Sequence, residues 1–189
     1  MIALSDLLKE LEYVGSPKYC DTEHPIHLET AHLLRVARDA GVRGVYLFET
    51  SPQNRKSLSP RPIVYVAEAD TVDKARDIHR SVWNLGYAPF LIVLLPNQLR
   101  IYTGFNYAPD TAVHGELGLL DQAQADNLQR IIMVIRDFKA SSIDSGLIWK
   151  SRYYRELDQD QRVDKRLLHN LEKLGETLEN DGVPSRVLK

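Results

Sequence analysis

Residues 62–105, PIVYVAEADTVDKARDIHRSVWNLGYAPFLIVLLPNQLRIYTGF, constrain the fold of this 189-residue chain more than any other stretch. An apolar run at 63–67 ends on two acids one residue apart, Glu68 and Asp70. Helical spacing follows from Val72 to Leu85, then a strongly apolar run at 89–95. A two-residue turn, Asn97-Gln98, leads into a last short run at 99–105. Strand, helix, strand, strand in that order predicts an α/β domain with a mixed sheet of about four to five strands flanked by helices.

Elements of the same kind surround this unit. Leu4, Leu7, Leu8 and Leu11 share one face of a short N-terminal helix, with Ser5 as its cap. Residues 15–25 read as a loop, and 27–40 as a helix with Leu28, Ala31, Leu34 and Ala37 on one stripe and Gly41 as its stop. Residues 45–50 form a β-prone run ended by Ser51-Pro52, and a polar connection carrying Arg55, Lys56 and Arg61 follows. Beyond Phe105 the texture turns helical. Asp121 is expected to cap a helix lined by Leu128, Ile131, Ile132, Ile135 and Phe138. A final helix carries Val163, Leu167, Leu171, Leu174 and Leu178, a stripe that needs a partner. The expected division is an α/β core at 1–120 and a helical extension at 121–189.

Composition excludes little. A formal net charge of −2 gives no global attraction to nucleic acid, though a basic face remains open to the chain. The single cysteine, Cys20, cannot form an intrachain disulfide, which suits a reducing cytoplasm. No apolar run approaches the roughly 20 residues that span a bilayer, and the N-terminus is unlike a secretory signal. A cytoplasmic protein with no membrane partner is the expectation.

Glu68 and Asp70 lie on one side of their strand, because side chains alternate with period two. With Glu49 from a neighbouring strand they would offer three hard oxygen ligands to Mg²⁺, the usual basis of metal-assisted hydrolysis. Such sites commonly place a lysine two residues after the second acid, where this chain has Asp70. Lys74, one helical turn on, is the candidate to reach back and activate water in its place. The alternative is structural: a strand end followed by a helix that Asp70 caps. Nucleic-acid binding has two candidate clusters. Arg55, Lys56 and Arg61 sit in a proline-framed connection, while Lys150, Arg152 and Arg155 interleave with Trp149, Tyr153 and Tyr154. Phosphates dominate affinity for nucleic acid and aromatic faces add stacking, although Glu156, Asp158 and Asp160 dilute the second cluster. His79 and Trp83, with Arg76 and Arg80 beside them, offer a weaker version of the same signature, and packing of Trp83 against the sheet with Ile78 and Val82, beside a solvated arginine face, is the preferred reading.

Two segments carry a family resemblance. IHRSVWNLGYAPFLIVLLPNQLRIYTGF, at 78–105, resembles the N-terminal domain of bacterial adenine-specific DNA methyltransferases of restriction–modification systems. FKASSIDSGLIWKSRYYRELDQDQRVDKRLLHNLEKLGETLENDGV, at 138–183, is similar to the linker that leads from that domain into the methyltransferase. The resemblance implies a restriction-endonuclease-like core, with Glu49 and Glu68 at the positions of its two metal acids and Asp70 in place of its lysine. It implies DNA and a downstream methyltransferase domain as partners, and S-adenosylmethionine as the cofactor of the parent protein. This chain contains neither a Gly-rich cofactor loop after a strand nor any Asn-Pro dipeptide, so methyl transfer by the chain alone is not expected. The expected function is a front module that engages DNA or positions domains, its nuclease site degenerate. The alternatives are a Mg²⁺-dependent endonuclease and a protein-interaction module working through the last helix.

Overall fold

In chain order the elements are α1 (Leu4–Glu10), β1 (Tyr19–Asp21), α2 (Leu28–Asp39), β2 (Val42–Phe48), β3 (Arg61–Glu68), α3 (Val72–Leu85), β4 (Phe90–Leu94), β5 (Gln98–Thr103) and β6 (Leu119–Gln124). Four helices follow: α4 (Leu128–Ile135), α5 (Ala140–Asp144), α6 (Arg152–Arg155) and α7 (Val163–Asn180). Short 3₁₀ turns at Arg136–Phe138 and Leu147–Lys150 link α4 to α5 and α5 to α6. The computed structural model describes residues 2–24, 28–48, 61–107, 116–157 and 162–180.

The strand–helix–strand–strand unit forms the middle of the sheet. β3 and β4 run parallel, with Tyr65 opposite Leu91 and Val66 opposite Ile92. Both are buried on both faces, which is why they read as continuous apolar runs rather than alternating ones. Helix α3 makes the crossover. Thr71, not Asp70, caps it by accepting from the Lys74 N–H, and Gly86 ends it at φ +65°. β5 returns antiparallel across Pro96-Asn97, closed by a 2.8 Å bond from the Leu95 N–H to the Gln98 carbonyl.

All remaining neighbours are antiparallel, giving a six-stranded mixed sheet in the order β1-β2-β3-β4-β5-β6. The α/β class is as expected, with β1 and β6 added at the edges. Alternation along β3 sorts the core: Val64 and Val66 face α1 and α4–α6, while Tyr65 and Ala67 face α2 and α3. Each large side chain buried there contributes about 1.5–3 kcal/mol.

Residues 119–153 contribute directly to this core. β6 straddles the expected domain boundary at 120–121, and Ile131, Val134, Phe138, Ile143, Ile148 and Tyr153 share one cluster with Leu7, Leu11 and Tyr13. The Tyr13 hydroxyl donates to the Phe138 carbonyl at 2.8 Å, and the Ala140 N–H donates to the Leu11 carbonyl at 2.9 Å. Asp121 lies within β6 and caps no helix. Asn127 does so instead, accepting from the Arg130 N–H at the start of α4. Pairing with β5 decides the matter, because Leu119, Leu120 and Ala123 bury as strand residues and delay the helix by several positions.

Helix α7 leaves the body at the end of α3. Val163 packs so closely against Gly86 that a Cβ there would sit 3.0 Å from its Cγ1, and the Arg162 guanidinium lies 4.9 Å over the Phe105 ring. Further along, Leu167, Leu168, Leu171 and Leu174 are each more than half exposed. No described helix is long and apolar enough to cross a membrane.

One polar inclusion interrupts the α3 face of the sheet. His79 is 1% exposed, stacks on Tyr102 at 4.7 Å, and its Nε2 donates to the Thr103 carbonyl at 2.7 Å. Desolvation lowers its pKa from 6.5 to about 4, against the raising effect of the Thr103 bond and the Glu116 charge. The unfolded chain therefore takes up a proton near 6.5 and the folded one only near 4. Stability from this site is full above the upper value and falls as pH drops through the window, by roughly 3 kcal/mol in all. Chemical denaturation from about pH 7 to about pH 4.5 should show this slope, and His79→Gln should flatten it. An unchanged slope in the variant would exclude His79 as the source.

Candidate nucleic-acid interface

The polar edges of α4, α5 and α6 surround a hollow of about 590 Å³. Arg130, Arg136, Lys150, Arg152 and Arg155 line it, with Asp137, Ser142 and Ser151 among them and Met133 and Leu147 supplying apolar wall. Behind it stands Asp121 on β6, 7% exposed. One Asp121 oxygen accepts from Arg130 Nη2 at 2.5 Å and from the Gln122 N–H at 2.8 Å. The other accepts from Arg152 Nη2 and from the Tyr153 hydroxyl, the latter at 2.8 Å. Arg152 also donates to the Tyr153 oxygen at 2.8 Å, with its guanidinium 4.6 Å over that ring. Burial pushes the Tyr153 phenol above its ordinary pKa, so it stays a donor to the carboxylate.

This wiring leaves cations facing out. Five line the hollow, and Asp121 and Asp137 oppose them, for a net of three positive charges. Arg136 pairs with Asp137 at 3.3 Å. Among the described residues no carboxylate lies within ion-pair distance of Lys150 or Arg155, and both are exposed.

Lys150, Arg152 and Arg155 are thus brought together, and two arginines from α4 and the turn after it join them. The interleaved aromatics turn the other way. Tyr153 is 2% exposed, and Trp149 lies edge-on to Phe48 at 5.8 Å and to Tyr154 at 5.1 Å. Residues three or four apart share one side of a helical turn, so Trp149 and Tyr153 turn toward the core while Arg152 and Arg155 face the hollow. Arg61 is exposed at the first position of β3, paired with Phe48. Phe48 touches Trp149, so Arg61 stands at the end of the sheet to which the 147–150 turn is docked. Arg55 and Lys56 lie outside the described residues. Sequence reasoning missed Arg130, Arg136 and Asp121. The one available signal was that both arginines fall on the polar face of the amphipathic run at 128–135 and its continuation.

The acidic candidates occupy the opposite end of β3. Glu68, Asp70 and Lys74 line a second hollow, of about 610 Å³, with Glu23, Arg38 and Arg43, at the carboxyl ends of β3 and β4. Ligands of open α/β sheets commonly bind outside such strand ends. Arg43 here pairs with Glu23 at 2.8 Å, and Glu68 and Asp70 are both exposed. Glu49 lies outside the described residues. Antiparallel pairing of β2 with β3 sets Phe48 beside Arg61, at the far end of β3 from Glu68 and about 23 Å from it at ~3.3 Å per residue. The neighbour of the Glu68 end on β2 is Val42, paired with Ala67. Among the described residues no group of three or more His, Cys, Asp or Glu side chains is placed to hold a metal ion. Cys20 is buried, and desolvation raises its thiol pKa, the reverse of what a nucleophile needs. Trp83 is half-buried, with its ring 5.8 Å from Tyr107.

Comparison with protein-family models, with curated proteins and with solved structures gave no match.

Proposed function

We propose that this chain is a DNA-engaging module that grips the phosphate backbone through the hollow between α4, α5 and α6, without cleaving or methylating the DNA itself. The observation that carries the proposal is the grouping of five cations around one open hollow, two of them held by a buried carboxylate on the sheet edge. An otherwise acidic chain gains nothing from concentrating guanidinium groups this way, since like charges repel and their packing here needs Asp121 to offset them. Phosphate oxygens are the natural counter-charge, and arginine matches them with paired donors. Among the described residues the aromatics beside the cations are buried or half-buried against the core, which favours backbone contact over capture of single-stranded bases. The resemblance to methyltransferase front domains agrees with this role and would place the catalytic machinery in a separate domain.

Anisotropy of a labelled DNA duplex tests the proposal. Binding should weaken steeply with salt, and the double substitution Lys150→Glu with Arg155→Glu should reduce the log–log salt slope by about two contacts' worth, ~1.8. Binding that is salt-insensitive or untouched by the double substitution would rule the hollow out. The same mixtures with Mg²⁺ or Mn²⁺ should leave the DNA intact. Cleavage that is lost in Glu68→Ala would assign the strand-end hollow as a hydrolytic site instead.

A further inference from the structure

The last helix is the least covered element of the protein, and its surface is patterned for one particular partner. We propose that α7 pairs antiparallel with the α7 of a second copy of this chain. Dimerisation of this kind goes beyond DNA engagement and does not depend on it. Leu167, Leu171 and Leu174 follow a four-then-three spacing, the seam of a two-helix pair, and Leu168 widens it; all four are between 54% and 59% exposed. Such a helix, about 27 Å long and docked on the body near Val163 and Arg162, gains stability when that face is covered.

Three features select a second copy as the cover. The positions that flank the seam are uncharged: Leu168 and Gly175 on one side, Asn170 and Thr177 on the other. A heterologous partner is usually specified by charges at those positions, whereas here nothing repels self-pairing. Leu168 and Gly175 lie seven residues apart on the same side of the seam. An antiparallel overlap therefore sets Leu168 of one copy over Gly175 of the other, a large side chain against an absent one, on both sides of the two-fold axis. The charges along the helix agree. Asp164, Lys165 and Arg166 leave the amino-terminal part with one net positive charge, and Glu172, Lys173, Glu176 and Glu179 leave the carboxyl-terminal part with two net negative charges. Antiparallel pairing brings opposite ends together and opposes the helix dipoles, and parallel pairing brings like ends together.

Sedimentation equilibrium of the whole chain from about 5 to about 200 µM should show a monomer–dimer equilibrium. Leu171→Glu should raise its Kd by about a hundredfold or more, with an unchanged thermal midpoint at concentrations where both proteins are monomeric, because that residue lies outside the core. Orientation is read from a fourfold charge exchange, Lys165→Glu, Arg166→Glu, Glu172→Lys and Glu176→Lys. Antiparallel pairs retain opposite charges after the exchange and should associate at least as tightly as the parent. A chain that stays monomeric throughout the concentration range, a dimer indifferent to Leu171→Glu, or a dimer abolished by the charge exchange would each overturn the proposal.

Discussion

Replacing Glu116 by alanine is expected to lower the unfolding free energy by about 3–5 kcal/mol, the largest effect of any single polar substitution in this protein. The Glu116 side chain is 8% exposed and the Arg100 side chain it pairs with is 10% exposed. Glu116 Oε2 accepts from Arg100 Nη1, while Oε1 accepts from the Tyr102 hydroxyl at 2.7 Å and lies 3.2 Å from Arg76 Nε. Burial alone would raise the pKa of Glu116, but the bonds from Tyr102, Arg100 and Arg76, with the charge of Arg100, hold it below its ordinary value. Stability from this group is therefore present above the usual carboxylate range and is lost as pH falls through the lowered folded value. Among the described residues, alanine at 116 leaves the Arg100 guanidinium in the core with no counter-charge, and Arg100 Nε already has no partner there. Most of the expected loss is that stranded charge rather than the worth of the pair. The double substitution Glu116→Leu with Arg100→Met should accordingly cost much less than Glu116→Ala alone. Urea unfolding of the three proteins measures this. A cost below about 1 kcal/mol for the single substitution would show that the pair is solvated in solution.

Asp121→Ala is expected to cost about 2–3 kcal/mol and to loosen the wall of the basic hollow. Its carboxylate is buried, but its two arginine partners are 37% and 53% exposed and can turn to water when it is removed. The group that cannot is Tyr153, whose buried hydroxyl keeps only the Val134 carbonyl at 3.3 Å as an acceptor. That difference is why the cost falls below that of Glu116→Ala. It also localises the damage. Helix α6 has four residues and no packing strength of its own, so its docking relies on Tyr153 and Arg152. Hydrogen exchange at 147–157 should rise in Asp121→Ala while β3 and β4 keep their protection. Asp121→Asn, which retains an acceptor for Tyr153, should preserve most of that protection. Unaltered exchange at 147–157 in the alanine variant would mean that apolar packing of Ile148 and Tyr153 holds the wall by itself.

The basic hollow was only half legible beforehand. Lys150, Arg152 and Arg155 are near neighbours in sequence, and a cluster of that kind is visible in any chain. Arg130 and Arg136 join them only because α4 and α6 pack side by side on the sheet, through Val134, Phe138 and Tyr153. The tyrosines and tryptophan that suggested base stacking are instead the residues that anchor this segment to the core. Glu68, Asp70 and Lys74 were likewise close in sequence and share one hollow. A contribution from β2 to that hollow depends on which of its ends reaches the Glu68 end of β3, and antiparallel pairing presents Val42 there.

Sequence by itself determined the centre of the molecule, from β3 through α3 and β4 to β5. Strands buried on both faces must be apolar throughout, the start of α3 is set by a threonine three residues before the amide it caps, and these signals are all local. Tertiary structure decided the rest. The stretch from Leu119 to Gln124 has no strong local preference and became a strand because β5 offered an unpaired edge. That one pairing moved Asp121 from a helix cap to a buried carboxylate, drew the following helices onto the sheet, and thereby assembled the cations into a single face. Strand pairing and packing between residues far apart in the chain carry free energies larger than local propensity. Where the two disagreed, the non-local term prevailed.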